Sequence, residues 1–354
     1  MRFWSVAPVA VATFAAIGAA GGPLFAEQAP RLSGPHTFEN LAIYFVHGAS
    51  AAGAVPLTLE EAVAKGRVHV IETGRVNELL IENSGREPVF VQAGDIVKGG
   101  KQDRVLTVSF LLPANSGRLP IQSFCVEQGR WTARGKEDVN KFSSATEAMP
   151  SRAALLAMAA PAPVKEGGYR AAGDRPDGGE VAAKQRKVWD SVAATQSKLA
   201  DGLNANVHSP SSGTSLQLSL ENEKLKGARA NYLAALKAKG EAEADILGYV
   251  VAINGEVSSA NLYPSNALFR KLWDKQLAAV VTEAIGEKKA AGGSGPPPVA
   301  AKAAEFLAEA ERGKPTARAD AVGTRQETRD GDKALFNEAR GSDGSWLHRS
   351  YLAK

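Results

Sequence analysis

A chain of 354 residues with 42 Lys and Arg against 38 Asp and Glu carries a formal charge of +4. Its charges of both signs are interspersed and no basic stripe carries interleaved aromatics, which excludes a nucleic-acid-binding surface. The single cysteine, Cys125, excludes an intramolecular disulfide, so the fold must rest on an apolar core, which a chain of this length can bury unaided.

Residues 1–26 have the organisation of a secretory signal peptide. Arg2 supplies the positive start, Val6 to Ala20 the apolar run, Gly21-Gly22-Pro23 the break, and Ala26 a small residue for cleavage. A retained anchor needs about 20 apolar residues without such breakers, and no later segment is long and apolar enough to span a bilayer. The expected protein is therefore periplasmic or secreted and not membrane-spanning once cleaved. Residues 27–37 are expected to form a flexible N-terminus.

Leu41 to Val46 is a continuous apolar run that predicts a buried strand. Thr58 to Lys65 predicts a short helix, with a capping box of Thr58 and Glu61 and a stop at Gly66. Val68–Glu72, Leu79–Glu82, Val89–Gln92, Val105–Leu112 and Ile121–Val126 read as further strands, separated by turn-forming Asn, Ser, Gly and Pro. Ala159 to Gly179 reads as a loose loop. Helices are predicted at about Glu180–Ala200 and Leu220–Lys239 from their apolar stripes. Ile246–Ile253 and Glu256–Tyr263 flank Asn254-Gly255, the favoured two-residue hairpin turn, and an apolar-striped helix follows over Asn266–Ile285. The tryptophans Trp189 and Trp273 are expected in the core. Gly292–Pro298 reads as a linker, Val299–Arg312 as an isolated helix, Gly313–Ser345 as disordered on its polar composition, and Trp346–Leu352 as a docking end.

Chemistry concentrates between Gln92 and Trp131. Gly94 to Lys101 departs from a phosphate loop: one residue too many precedes Gly-Lys, the metal-binding hydroxyl is replaced by Gln102, and a strand rather than a helix follows. In an extended chain Lys101 and Asp103 face one way, Gln102 and Arg104 the other, and pairing of the flanking strands brings Glu127 and Arg130 near. Carboxylate, amide and guanidinium together suit a polar ligand; they equally suit a buried ion pair closing the end of a sheet. Cys125 has no histidine near it in sequence, the five histidines lack metal-ligand spacing, and no Gly-x-Ser-x-Gly elbow occurs, so no metal or cofactor is expected.

The strings GDIVKGGKQDRVL, CVEQGRW, QRKVWDSV, GYVVAINGEV and LFRKLWDKQLAAVVTEAI, in that order, resemble the ARG and Rhodanese-Phosphatase-superfamily-associated Protein domain over about Phe38 to Ile285. The resemblance implies no established activity. The association in the family's name implies, by analogy, an ADP-ribose-like or sugar-phosphate ligand. The family's polar motif falls on Gly99, Gly100, Lys101, Gln102, Arg104, Cys125, Glu127, Arg130 and Trp131.

Together these readings give an α+β protein: an antiparallel β-sandwich or partly open barrel in the N-terminal half, covered by C-terminal helices, with an added β-hairpin. One domain is expected over residues 38–286, then a linker and charged tail over 287–345 and a docking segment over 346–354. The expected function is an exported binding or accessory protein for an unknown polar small molecule or protein partner. Its surface would comprise Gly99, Gly100, Lys101, Gln102, Asp103, Arg104, Arg130 and Trp131. The alternative is a hydrolase or transferase on an ADP-ribose-like or sugar-phosphate compound, with Glu127 as acid/base and Arg104 and Arg130 as anion clamps.

Overall fold

The computed structural model describes residues 31–134, 138–159, 178–289 and 295–354. The expected signal peptide, most of the Ala159–Gly179 loop and the first part of the Gly292–Pro298 linker lie outside these. Along the chain run β1 (Arg31–Phe38), β2 (Leu41–His47), β3 (Leu57–Thr58), α1 (Leu59–Ala64), β4 (Val68–Arg75), β5 (Glu78–Asn83), β6 (Val89–Val91), β7 (Asp95–Gly99), β8 (Arg104–Leu106), β9 (Phe110–Leu112), β10 (Gly117–Cys125) and β11 (Phe142–Ala148). Four helices follow: α2 (Arg152–Ala159), α3 (Gly178–Leu203), α4 (Leu216–Leu220) and α5 (Glu223–Gly240). Then come β12 (Ile246–Ile253), β13 (Glu256–Leu262), α6 (Asn266–Gly286), α7 (Ala300–Arg312), β14 (Pro315–Ala321), β15 (Thr324–Asp330), β16 (Ala334–Arg340) and β17 (Trp346–Ala353).

The chain is an α+β protein of three sheets. The largest is antiparallel throughout, in the order β1-β2-β12-β13-β17-β16-β15-β14; a second runs β11-β7-β8-β10-β5-β4; a small one joins β3, β6 and β9. Strands β2 and β12 are buried along their whole length because both faces of the large sheet are covered. Leu41, Ile43 and Phe45 pack with Trp273 and Phe269 of α6, while the alternate residues Ala42, Tyr44 and Val46 pack with Ala303 and Leu307 of α7. Period-two alternation thus serves two cores, which is why the run reads as continuously apolar. The capping box at Thr58 and Glu61 forms with both hydrogen bonds, and Asn254 and Gly255 turn the β12–β13 hairpin at positive φ. Trp273 is buried and donates to the Lys237 carbonyl, tying α6 to α5.

Three expectations need correction. The charged segment 313–345 forms β14 to β16, and with β17 it supplies half of the large sheet's strands. Its polarity conceals a paired interior: Arg349 bonds Glu338 at 2.6 Å, and Glu311 of α7 accepts from the Tyr351 hydroxyl. Carboxylates matched with guanidinium and phenol can be buried, and composition does not register such matches. The domain therefore does not end at 286. Within 27–37, residues from Arg31 onward form β1, an edge strand paired with β2. The expected single strand Val105–Leu112 is broken at Thr107–Ser109, so β8 enters the second sheet and β9 the third.

Candidate functional site

The two polar strings meet. Strands β7 and β8 are joined by Gly100–Asp103, and β10 leads directly into Val126–Trp131 alongside them. Gly99 and Gly100 adopt φ of +119° and +55°; a Cβ at Gly99 would lie 2.6 Å from the Lys141 carbonyl, and one at Gly100 would lie 2.2 Å from the Phe142 ring. Only glycine permits both the turn and this approach of β11.

The acids and arginines brought together there saturate one another. Asp103 is 0% exposed. It accepts from the Gly99 amide (2.9 Å), from the Ser215 hydroxyl (2.9 Å) and from Arg134 (2.9 and 3.3 Å). Glu127, also 0% exposed, accepts from Arg130 Nε (2.8 Å), the Ser212 hydroxyl (2.6 Å) and the Asp103 amide (3.2 Å). Arg130 spends its remaining donors on the Gly99, Gly100 and Thr132 carbonyls. Gln102 donates to the Glu127 carbonyl, as does Trp189 of α3. Burial alone would push the Glu127 carboxyl up, but the bonds from Arg130 and Ser212 outweigh it and hold the group below the usual carboxylate range. A carboxylate kept ionised and covered by three donors is an anchor for the loops around it, with no face left for a substrate. Cys125 is likewise sealed: burial pushes its thiol up to about 11, so no thiolate nucleophile forms near neutral pH. Its backbone N–H and C=O are both met by Gln185 of α3, a side chain standing in for a strand partner.

Lys101, Arg104 and Trp131 stand apart from this nest. Trp131 is 40% exposed, with the Lys101 ammonium 5.2 Å and the Arg104 guanidinium 5.7 Å from its ring centre.

A different place in the molecule has room for a ligand. A cavity of about 570 Å³ lies between the large sheet and the second sheet, bounded also by α2 and α6. Its wall is built by alternation: Ser259 and Asn261 on β13, Gln326 and Thr328 on β15, Asn337 on β16, and His348 and Ser350 on β17 all face it. Gln92 and Gln122 from the second-sheet side and Gln276 from α6 add to the polar lining, with Lys184 the one charged side chain there among the described residues. Sequence reading missed these residues, because the signal is a Ser/Thr/Asn/Gln period of two scattered over four strands, two of them in the segment read as a tail and one in the segment read as a docking end.

Inside this wall runs a relay. Ser109 accepts from the Ala93 amide (2.9 Å) and bonds His348 Nδ1 (2.9 Å); His348 Nε2 bonds Asn261 Oδ1 (3.0 Å). Asn261 in turn donates to the Tyr249 hydroxyl (2.9 Å), which donates to Gln276 (3.2 Å). Serine, histidine and amide stand in the order of nucleophile, base and orienter. The energetics oppose that role: complete burial holds His348 down at about 3, too weak a base to draw a proton from serine. The relay instead fixes neutral groups in one orientation.

Residues 30–352 match the sequence profile of a single domain family, that of the ARG and Rhodanese-Phosphatase-superfamily-associated Protein domain, including the strands beyond 286. No curated protein and no solved structure matches the chain.

Proposed function

We propose that this chain, which belongs to the ARG and Rhodanese-Phosphatase-superfamily-associated Protein domain family, is an exported ligand-binding accessory module holding an uncharged, hydrogen-bonding molecule between its two main sheets. The observation that carries the reading is the neutral wall of the 570 Å³ cavity. That volume lies in the range of small-molecule sites, and amides and hydroxyls on rigid strands are the groups that orient such ligands. Among the described residues a phosphate or carboxylate would meet only Lys184 there, and leaving the rest of its charge unpaired is costly. Hydroxyls of a saccharide or amides of a short peptide would find both donors and acceptors. Export is proposed from the pattern of residues 1–26.

The sheet-edge surface contributes less to this reading than its residue types suggest, since Asp103, Glu127 and Arg130 are consumed by one another. For the same reason the geometry lends no support to hydrolysis or transfer with Glu127 as acid/base, or to an ADP-ribose-like ligand held by Arg130.

Thermal shift on the purified protein tests the proposal. Neutral oligosaccharides, cell-wall fragments and short peptides are set against ADP-ribose and sugar phosphates. A saturating neutral ligand, at about 100 times its Kd, should add about 2.7 kcal/mol of stability and raise Tm by a few degrees. Ser350, whose hydroxyl has no hydrogen-bond partner among the described residues, faces the same space. The Ser350→Phe variant should fill that space and abolish the response. Stabilisation by neutral ligands that persists undiminished in Ser350→Phe would place the binding elsewhere.

A further inference from the structure

We propose a second site, for an oxyanion, formed by Arg104 and Lys101 against the Trp131 indole. Arg104 is wholly shielded from solvent, yet among the described residues it hydrogen-bonds through one guanidinium nitrogen only: Nη1 donates to the Gln102 carbonyl at 2.8 Å, while Nε and Nη2 find no hydrogen-bond partner there. A buried donor left unmet is rare and costly, and in a protein it marks a place where a partner belongs. The nearest carboxylate, Glu72, stands 3.7 Å from Nη2, beyond hydrogen-bond reach. It is already engaged by the backbone amides of Gly74 (3.0 Å) and Lys101 (3.3 Å).

The two unmet nitrogens are the edge of the guanidinium that binds a carboxylate or phosphate through two parallel N–H···O bonds. Charge points the same way. Among the described residues Asp103 and Glu127 are held by Arg130 and Arg134, which leaves Glu72 as the carboxylate nearest Arg104. Glu72 is shared with two backbone amides, and the Lys101 ammonium has no carboxylate partner among the described residues. Trp131, exposed on the Gln128–Thr132 loop, covers both cations. An indole over two cations weakens their hydration without neutralising them, and it must shift for an anion to enter.

Inorganic phosphate is the probe, titrated into the full-length protein at constant ionic strength, with tryptophan emission and Tm both followed; acetate forms a parallel series. Phosphate should change the emission saturably and raise Tm. Lys101→Gln, at a partly exposed position, should fold normally and weaken the apparent affinity at least tenfold, on the order of one unit of log Kd. Trp131→Phe should lose most of the emission change while keeping the Tm response. Ser350→Phe should leave both intact, so failure of this site and failure of the neutral cavity are separable. Saturation by acetate in place of phosphate identifies the oxyanion as a carboxylate. Saturation by neither, or an unchanged affinity in Lys101→Gln, overturns the site and leaves Trp131 as packing over an Arg104–Glu72 pair.

Discussion

The nest around Asp103 and Glu127 and the cavity facing His348 are both polar interiors bounded by strands, and they have opposite characters. In the nest the side chains are charged, close and long enough to reach one another, so Asp103 and Glu127 are paired with donors from within the protein. In the cavity all but Lys184 of the described polar side chains are neutral, and most stand on the face of a sheet, where alternate residues on neighbouring strands leave a gap between facing layers. Charge drives self-pairing, because an unpaired buried charge is ruinous. Neutral amides can tolerate a solvent-filled space and therefore keep donors for a ligand.

The sharpest way to break this contrast is a single-group change in each region. Asp103→Asn keeps the shape of the nest but leaves Arg134 and Arg130 facing an amide, and should cost about 3–5 kcal/mol. Asn337→Ala in the cavity wall removes one hydrogen bond, from Thr328, and should cost about 1 kcal/mol. Urea denaturation of the two variants reads both values. Equal losses would mean that the two regions are structural in the same sense and that the cavity wall is as mutually dependent as the nest.

How much of this was legible beforehand follows from the range of the interactions. Local signals translated directly: the Thr58–Glu61 box, the Asn254-Gly255 turn and the stripe of α6 each depend on neighbours within one or two turns. The two polar strings meet as the pairing of the flanking strands implies: β8 pairs with β10, although β8, three residues long, covers only the start of the longer strand read from the sequence. Their mutual saturation was not legible, because Ser212, Ser215 and Arg134 arrive from segments with no motif of their own. The strands after 313 were hidden for a related reason. Glu338 and Arg349 read as solubilising charges until β16 and β17 are set side by side. A cavity is harder still, being a gap between layers that no single segment encodes.

A finer test lies in pH, where the partly buried Glu283 and the buried His348 oppose each other. Burial pushes Glu283, which accepts from the Arg152 amide at 2.9 Å, up to about 7, and holds His348 down at about 3. For Glu283 the folded state binds the proton more tightly than the unfolded one, so its contribution is present below about 4.5 and is lost as pH rises towards 7. For His348 the unfolded state binds the proton more tightly, so its contribution is present above about 6.5 and is lost as pH falls towards 3. Between pH 5 and 7 the two slopes have opposite signs and similar size, on the order of 2 kcal/mol each by linkage. Together they should nearly cancel in the native protein. Glu283→Gln should unmask the histidine, giving a protein that loses stability on acidification from pH 7 to 5. His348→Gln should unmask the glutamate, giving one that gains stability over the same interval, whatever constant offset the substitution brings. Chemical denaturation at pH 5, 6 and 7 supplies the slopes. Parallel slopes in the two variants would show that neither group titrates in isolation and that burial alone does not set the two opposite shifts.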